Sequence, residues 1–326
     1  MALRVIQVGV GGFGGTWLPR LAGSPDVELV GAVDTDPEVL ARQAAAHNVP
    51  ATASSVPEIL EVVEADAAVV VTPPASHRLV ADQAMEAGLH VLTEKPIADS
   101  PANAAAMVEH AAARGVTLMV SQNYRFSRVP RTVERLVREG TFGAVDSVMV
   151  KFFKGPKFEG SYRLTMPHPL VLDMCIHHFD LMRAILGRDA HRVYARSWLP
   201  SWSWFRHPPT LAAVFDFDGG VVSTYSGSWV TRGGGTTWRG DWRVELSGGV
   251  IEIRGEDLFV AVDGGEFEPY PADDMDRQGQ DYSLKEFVTA IAEAREPECS
   301  GRDNLNSIDM VFKTLESVES GGPVEF

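Results

Sequence analysis

Cysteine is scarce: Cys175 and Cys299 are the only two in 326 residues. So sparse a pair gives neither a disulfide framework nor a cysteine-rich metal cluster, and both read as small buried residues rather than nucleophiles. Long apolar runs are missing too, since none approaches the roughly 20 residues needed to span a bilayer. The N-terminus lacks the basic segment, apolar stretch and cleavage site of a secretory leader. Basic charge is in deficit, with 29 Lys and Arg against 44 Asp and Glu, a net charge of −15. That deficit opposes binding to nucleic acid or an anionic membrane through a broad basic surface. It leaves room for a small neutral substrate and for a local basic pocket. No internal repeat or low-complexity tract is present. The expectation is a soluble, cytoplasmic, reduced protein whose partner is a small molecule, not nucleic acid and not a membrane.

What is present changes in grammar near residue 122. A chain of this length accommodates two domains, each with its own core. Strand-like runs at 3–8, 27–34, 67–72, 90–93 and 116–121 alternate with helical patterns at 13–22, 37–47, 57–63, 76–87 and 101–114. Such alternation predicts a Rossmann-type α/β domain over 1–122, with a doubly wound parallel sheet. From residue 123 a helix (130–139) and a strand (144–153) precede an irregular stretch and a helix over 170–186. Six strand-like runs follow between 191 and 262. Their short connections, such as Asp218-Gly219-Gly220 and Ser247-Gly248-Gly249, favour antiparallel pairing. Helices at 283–294 and 303–318 close the chain. Residues 123–326 are therefore expected to form an α+β domain on a large, mostly antiparallel open sheet.

Gly9-Val10-Gly11-Gly12-Phe13-Gly14 lies between the first strand and the first helix. Gly9 permits a tight turn, Gly11 lets backbone approach a pyrophosphate, and Gly14 lets helix and strand pack closely. The helix N-terminus then offers N–H groups to phosphates. The bland alternative is a tight turn with no ligand. Asp34 ends the second strand, where a carboxylate accepts from ribose hydroxyls and repels a 2′-phosphate. Thr35, Asp36 and Pro37 supply no cation to neutralise one, so NAD is expected rather than NADP. Thr72-Pro73, followed by His77, and Glu94-Lys95-Pro96 end two further strands, at the crevice where such sheets bind ligands.

Lys95 at that crevice is suited to holding a substrate hydroxyl and stabilising the alkoxide as it forms. Asp173, His177 and Asp180 stand at i, i+4 and i+7, on one face of an α-helix. A carboxylate four residues before an imidazole can fix its tautomer and raise its basicity, which suits His177 as a general base. Competing readings are a solvated polar face, a metal site with His168 and His178, and His178 as the working residue. Dinucleotide redox chemistry needs no metal, and none is expected. Six of the seven tryptophans fall between Trp198 and Trp242. A sheet core or subunit interface accounts for most of them, with a sugar pocket as the alternative.

These landmarks, in this order, resemble the glucose–fructose oxidoreductase / inositol dehydrogenase (Gfo/Idh/MocA) family over essentially the whole chain. The matching residues are Gly9–Gly14, Asp34, Thr72-Pro73 with His77, Glu94-Lys95-Pro96, Asn123-Tyr124-Arg125, and Asp173/His177/Asp180. The resemblance implies hydride transfer between NAD and a secondary hydroxyl or ketone of a sugar, cyclitol or related polyol. It implies Lys95, Asp173 and His177 as the catalytic set. The cofactor set it implies is Gly9, Gly11, Gly12, Phe13, Gly14, Asp34, Thr35, Thr72, Pro73, His77, Glu94, Lys95 and Asn123. Lys95, Arg125, His177 and Asp180 would touch substrate. Cys175 stands where the family often has glycine. The family commonly forms homo-dimers or homo-tetramers through its second domain. Two alternatives are glycoside cleavage by transient oxidation and elimination, and a non-catalytic NAD-binding sensor.

Overall fold

A computed structural model describes residues 2–326. It divides into two compact units, Met1–Gln122 with Gln280–Leu305, and Asn123–Gly279 with Asn306–Phe326. In the first, six parallel strands run in the order β3-β2-β1-β4-β5-β6. They are β1 (Leu3–Val8), β2 (Val27–Val33), β3 (Thr52–Ala53), β4 (Ala67–Val70), β5 (His90–Glu94) and β6 (Leu118–Ser121). All four residues of β4 are buried, as a central strand covered on both faces requires. The intervening helices are α1 (Leu18–Gly23), α2 (Pro37–His47), α3 (Val56–Leu60), α4 (Pro74–Glu86) and α5 (Pro101–Arg114). Local chemistry sets their ends. In α2, the Asp36 carboxylate accepts the Glu38 and Val39 N–H groups, Pro37 occupies the first turn and left-handed Asn48 closes the helix.

The second unit holds nine strands in the order β14-β13-β12-β11-β7-β10-β9-β8-β15. These are β7 (Val145–Phe153), β8 (Ala190–Arg196), β9 (Thr210–Phe217), β10 (Val221–Ser228), β11 (Asp241–Leu246), β12 (Gly249–Arg254), β13 (Asp257–Val262), β14 (Glu268–Pro269) and β15 (Val324–Glu325). Pairing is antiparallel throughout except between β7 and β10. Burial alternates residue by residue along β10, so one sheet face is covered and the other is open. Helices α6 (Arg128–Arg138) and α7 (Ile176–Leu186) pack on each other in this unit. Helices α8 (Gly279–Ala292) and α9 (Gly301–Ser320) close the chain. No helix among the described residues is long and apolar enough to cross a membrane.

The segment 280–305, expected in the second domain, belongs instead to the first unit. Backbone pairing explains this. The Val120 N–H donates to the Cys299 carbonyl at 2.9 Å, and Met119 bridges Ser300. Gly301 sits so close to Leu118 that a Cβ would lie 2.8 Å from its side chain. The helix expected at 13–22 also differs. Gly12–Thr16 forms a 3-10 turn before α1, because glycine is a poor helix former and Pro19 donates no N–H. Cys175 and Cys299 are both buried, and neither is in a disulfide.

Candidate active site

Strand β1 delivers the glycine loop. Gly9 has φ +87°, and a Cβ there would lie 2.7 Å from the Val71 carbonyl oxygen. A Cβ on Gly14 would lie 2.2 Å from the Gly9 carbonyl oxygen, so both positions demand glycine. Gln7 props the loop from beneath, its side-chain amide donating to the carbonyls of Gly9 (2.9 Å) and Gly14 (2.8 Å). Residue type gave one signal for Gln7: it is the polar member of an otherwise apolar buried stretch. Asp34 Oδ2 accepts from the N–H groups of Val10 (2.8 Å) and Gly11 (3.3 Å), while Oδ1 accepts from Asp36 (2.9 Å). The carboxylate therefore stands at the loop itself, with Thr35 exposed beside it.

The same loop tests whether a dinucleotide would fit. Nothing lies within 4 Å of where a Gly12 Cβ would be, and Phe13 is 52 % exposed. The Thr72 hydroxyl oxygen, just past β4, is buried and has no hydrogen-bond partner among the described residues. An open glycine shelf, a carboxylate at its edge and an unsatisfied buried hydroxyl fit a dinucleotide. The N–H groups at this end belong to the 3-10 turn, not to the α-helix expected there.

Two residues expected against the cofactor turn out to be inside. His77 is fully buried, with Nδ1 2.9 Å from the Pro96 carbonyl oxygen and Nε2 2.7 Å from that of Thr72. It ties the two crevice loops together, and burial lowers its pKa. Glu94 is buried with a raised pKa, again from burial. Its Oε1 accepts the Trp17 indole N–H at 2.9 Å and its Oε2 the Lys95 N–H at 3.2 Å. Lys95 follows β5, half-buried, and Pro73 caps α4. Gln122 is a residue the sequence reading missed: both polar atoms of its amide are buried with no partner among the described residues.

In the second unit the helix expected over 170–186 is not uniform. Leu170–Cys175 is a π-helical turn, and α7 follows it. A π turn closes i→i+5 bonds, so Asp173 leaves the α-helical phase that would have placed it over His177. Its carboxylate accepts from Arg163 Nε (2.7 Å) and Nη2 (3.1 Å). No periodicity pointed to Arg163, which lies in the irregular stretch before the turn. His177 stacks on Tyr124, ring centroids 4.2 Å apart and planes 11° from parallel. Asn123 begins the turn that carries Tyr124, its carbonyl accepting the Phe126 N–H at 3.2 Å.

Arg125 and Asp180, expected at the substrate, are paired with each other. Arg125 Nε and Nη2 donate to Asp180 Oδ2 (2.5 Å) and Oδ1 (2.6 Å), and the Ser307 hydroxyl adds a third bond at 2.7 Å. Asp180 is only 1 % exposed. Three sequence-distant elements meet on it, which residue spacing cannot foretell. His178 is also committed. Its Nε2 lies 3.0 Å from the Trp238 carbonyl oxygen and its Nδ1 3.0 Å from the Tyr225 hydroxyl. A carbonyl only accepts, so we assign the proton to Nε2, leaving Nδ1 to accept from Tyr225. Burial lowers the His178 pKa to about 4. Of the tryptophans, Trp229 and Trp242 are core, whereas Trp198, Trp202 and Trp238 are exposed. Among the described residues no His/Cys/Asp/Glu group could hold a metal.

Residues 3–122 match the GFO_IDH_MocA family, described as an oxidoreductase family with an NAD-binding Rossmann fold. Residues 130–254 match the GFO/IDH/MocA C-terminal domain. The uncharacterized protein y4oX of Sinorhizobium fredii is 28% identical, covering 100% of this chain and 96% of its own. D-apiose dehydrogenase of Paraburkholderia graminis is 25% identical over 98% of this chain and 88% of its own. Among solved structures, an oxidoreductase from Agrobacterium radiobacter in complex with NAD+, L-tartaric acid and magnesium superposes with a TM-score of 0.91. It is 21% identical, covering 100% of this chain and 98% of its own.

Proposed function

Because this chain belongs to the GFO/IDH/MocA oxidoreductase family, we propose that it moves a hydride between NAD and a secondary hydroxyl or ketone carbon of a sugar, cyclitol or related polyol. The observation that carries the reading is the glycine shelf with Asp34 at its edge, in a chain that also orders an imidazole, His177, against Tyr124. Bound NAD supplies the hydride acceptor or donor; the proton is left to the side chains. Lys95 holds the reacting hydroxyl through Nζ and stabilises the negative charge on its oxygen. His177 takes the hydroxyl proton on a ring nitrogen and returns it in the reverse direction. Arg163 fixes the Asp173 carboxylate at the turn that leads into α7. Tyr124 sets the plane of the ring by stacking on it. The Asp34 carboxylate selects NAD over NADP by repelling a 2′-phosphate.

The open face of the nine-stranded sheet exposes Met149, Tyr194, Val214 and Val222. That apolar supply supports assembly as a homo-dimer or homo-tetramer, read by light scattering. The function is tested by screening sugars and polyols with NAD and following nicotinamide absorbance. NADH accumulating with at least one polyol supports it. Tight NAD binding without turnover of any polyol overturns it, and glycoside cleavage without net NADH replaces it.

A further inference from the structure

We infer that the hydroxylated substrate is an anion, a polyol bearing a carboxylate such as an aldonate or uronate; this rests on the dehydrogenase reading above. The observation is where positive charge collects in a chain of net charge −15. Three segments of the second unit, 154–169, 197–209 and 229–240, contain six basic residues and one acidic residue, Glu159. The basic six are Lys154, Lys157, Arg163, Arg206, Arg232 and Arg239.

The three segments form one assembly. The Lys154 N–H donates to the Ser228 carbonyl, and the Thr231 N–H to that of Lys154. The Trp204 indole N–H reaches the Pro156 carbonyl at 2.9 Å, and that of Trp202 reaches the Val230 carbonyl at 2.9 Å. The Arg206 N–H donates to the Leu164 carbonyl. The assembly meets the start of α7 at two points: Arg163 holds Asp173 and the Trp238 carbonyl holds His178.

Much of this charge is not neutralised. Arg163 is spent on Asp173, and Arg239 pairs with Glu256. Among the described residues, Lys154, Lys157, Arg206 and Arg232 have no carboxylate within ion-pair distance. Three of these four are held over indole faces instead: Lys154 over Trp238 at 5.5 Å, Lys157 over Trp204 at 3.4 Å, and Arg232 over Trp202 at 5.8 Å. Cation–π contact fixes a cationic head without cancelling its charge. The loop leading to Asp173 also keeps two non-glycine residues, Phe158 and His168, in the left-handed region. Packing must hold such backbone in place, so the cations stand on a fixed frame. Oriented, unneutralised cations on loops tied to the start of the helix that carries His177 match a carboxylate tail on the substrate.

Matched pairs test this: D-glucuronate against D-glucose, and D-gluconate against D-glucitol, each with NAD. The acid is expected to show a KM at least about tenfold lower than its neutral partner, as a charge-assisted hydrogen bond allows. Raising salt should shrink that ratio. Lys154→Gln should shrink it as well, whereas Lys313→Gln, which removes the same charge from α9, should not. Tryptophan fluorescence titration of the NAD-loaded protein with the same four compounds measures the preference without turnover. Tighter binding of the acids with no NADH formed would sink the dehydrogenase reading and keep this one. Equal binding of acid and neutral partners, or no binding of any acid, overturns the inference.

Discussion

The glycine loop of the first unit and the π turn of the second show two ways of holding candidate site residues in place. In the first, backbone sterics decide. Gly9 and Gly14 admit no side chain, and Asp34 is fixed by backbone N–H groups of the loop that follows the neighbouring strand. In the second, charged side chains from distant segments decide. Arg163 takes Asp173, while Arg125 and Ser307 take Asp180. A backbone device tolerates almost no substitution but leaves its signature in residue types. A side-chain device leaves none, and its failure should appear as lost stability.

The sharpest way to press that contrast is Asp180→Ala. It strands the Arg125 guanidinium, 9 % exposed, without its carboxylate. Breaking a buried pair from one side costs about 3–5 kcal/mol, read as a large drop in the urea midpoint. The double variant Arg125→Met/Asp180→Leu should recover much of the loss, since the pair as a whole contributes little over apolar packing. If the double variant is as unstable as the single, the residues matter for something other than pairing.

His178 gives the next largest effect, through pH. Folding holds its pKa near 4, below the 6.5 of an ordinary histidine. Above about pH 6.5 the imidazole is neutral in both states and its contribution is complete. As pH falls from 6.5 towards 4, the unfolded chain takes up the proton first, so stability is lost. The limit is about 3 kcal/mol. His77 is also held neutral by burial and adds a loss of the same sign. The diagnostic is therefore the difference between the native chain and His178→Gln in Tm across that window. Parallel curves would mean His178 does not titrate as described.

His177, one residue earlier, should behave in the opposite way. His177→Ala should cut kcat by about 100-fold or more while leaving NAD affinity and Tm nearly unchanged. Equal losses in turnover and Tm would make it another core residue. The contrast with His178 separates the imidazole stacked on Tyr124 from the one hydrogen-bonded to Tyr225 and the Trp238 carbonyl.

Much of the fold was readable because period and punctuation agreed. Ser100-Pro101 and Gly115 bound α5 on the expected residues, and the turns at Asp218 and Ser247 give the antiparallel pairs β9–β10 and β11–β12. The parallel β7–β10 pair, the return of 280–305 to the first unit and the short strands β3, β14 and β15 were not readable. They depend on long-range backbone bonds with no local signature. At the site, the loop and Asp34 followed from residue type. The α-helical phase expected between Asp173 and His177 is broken by a π turn, while His177 and Asp180 both lie on α7. Glu94 ends β5 and His77 lies in the first turns of α4, as expected, yet both are buried and brace the loops.

The smallest expected effect falls on the half that was easiest to read. Asp34 accepts three backbone N–H groups, so its removal disturbs the loop as well as any ribose contact. Asp34→Asn keeps the acceptor oxygen and removes the charge, and so isolates repulsion of a 2′-phosphate. NAD should weaken modestly, by about the value of one charge-assisted bond, roughly tenfold. NADP should improve relative to NAD, since no cation follows at Thr35 or Asp36 to have favoured it before. Thermal stability should stay near that of the native chain because the N–H groups of Val10 and Gly11 keep a partner. A cofactor ratio identical to that of the native chain would show that the carboxylate serves only to shape the loop.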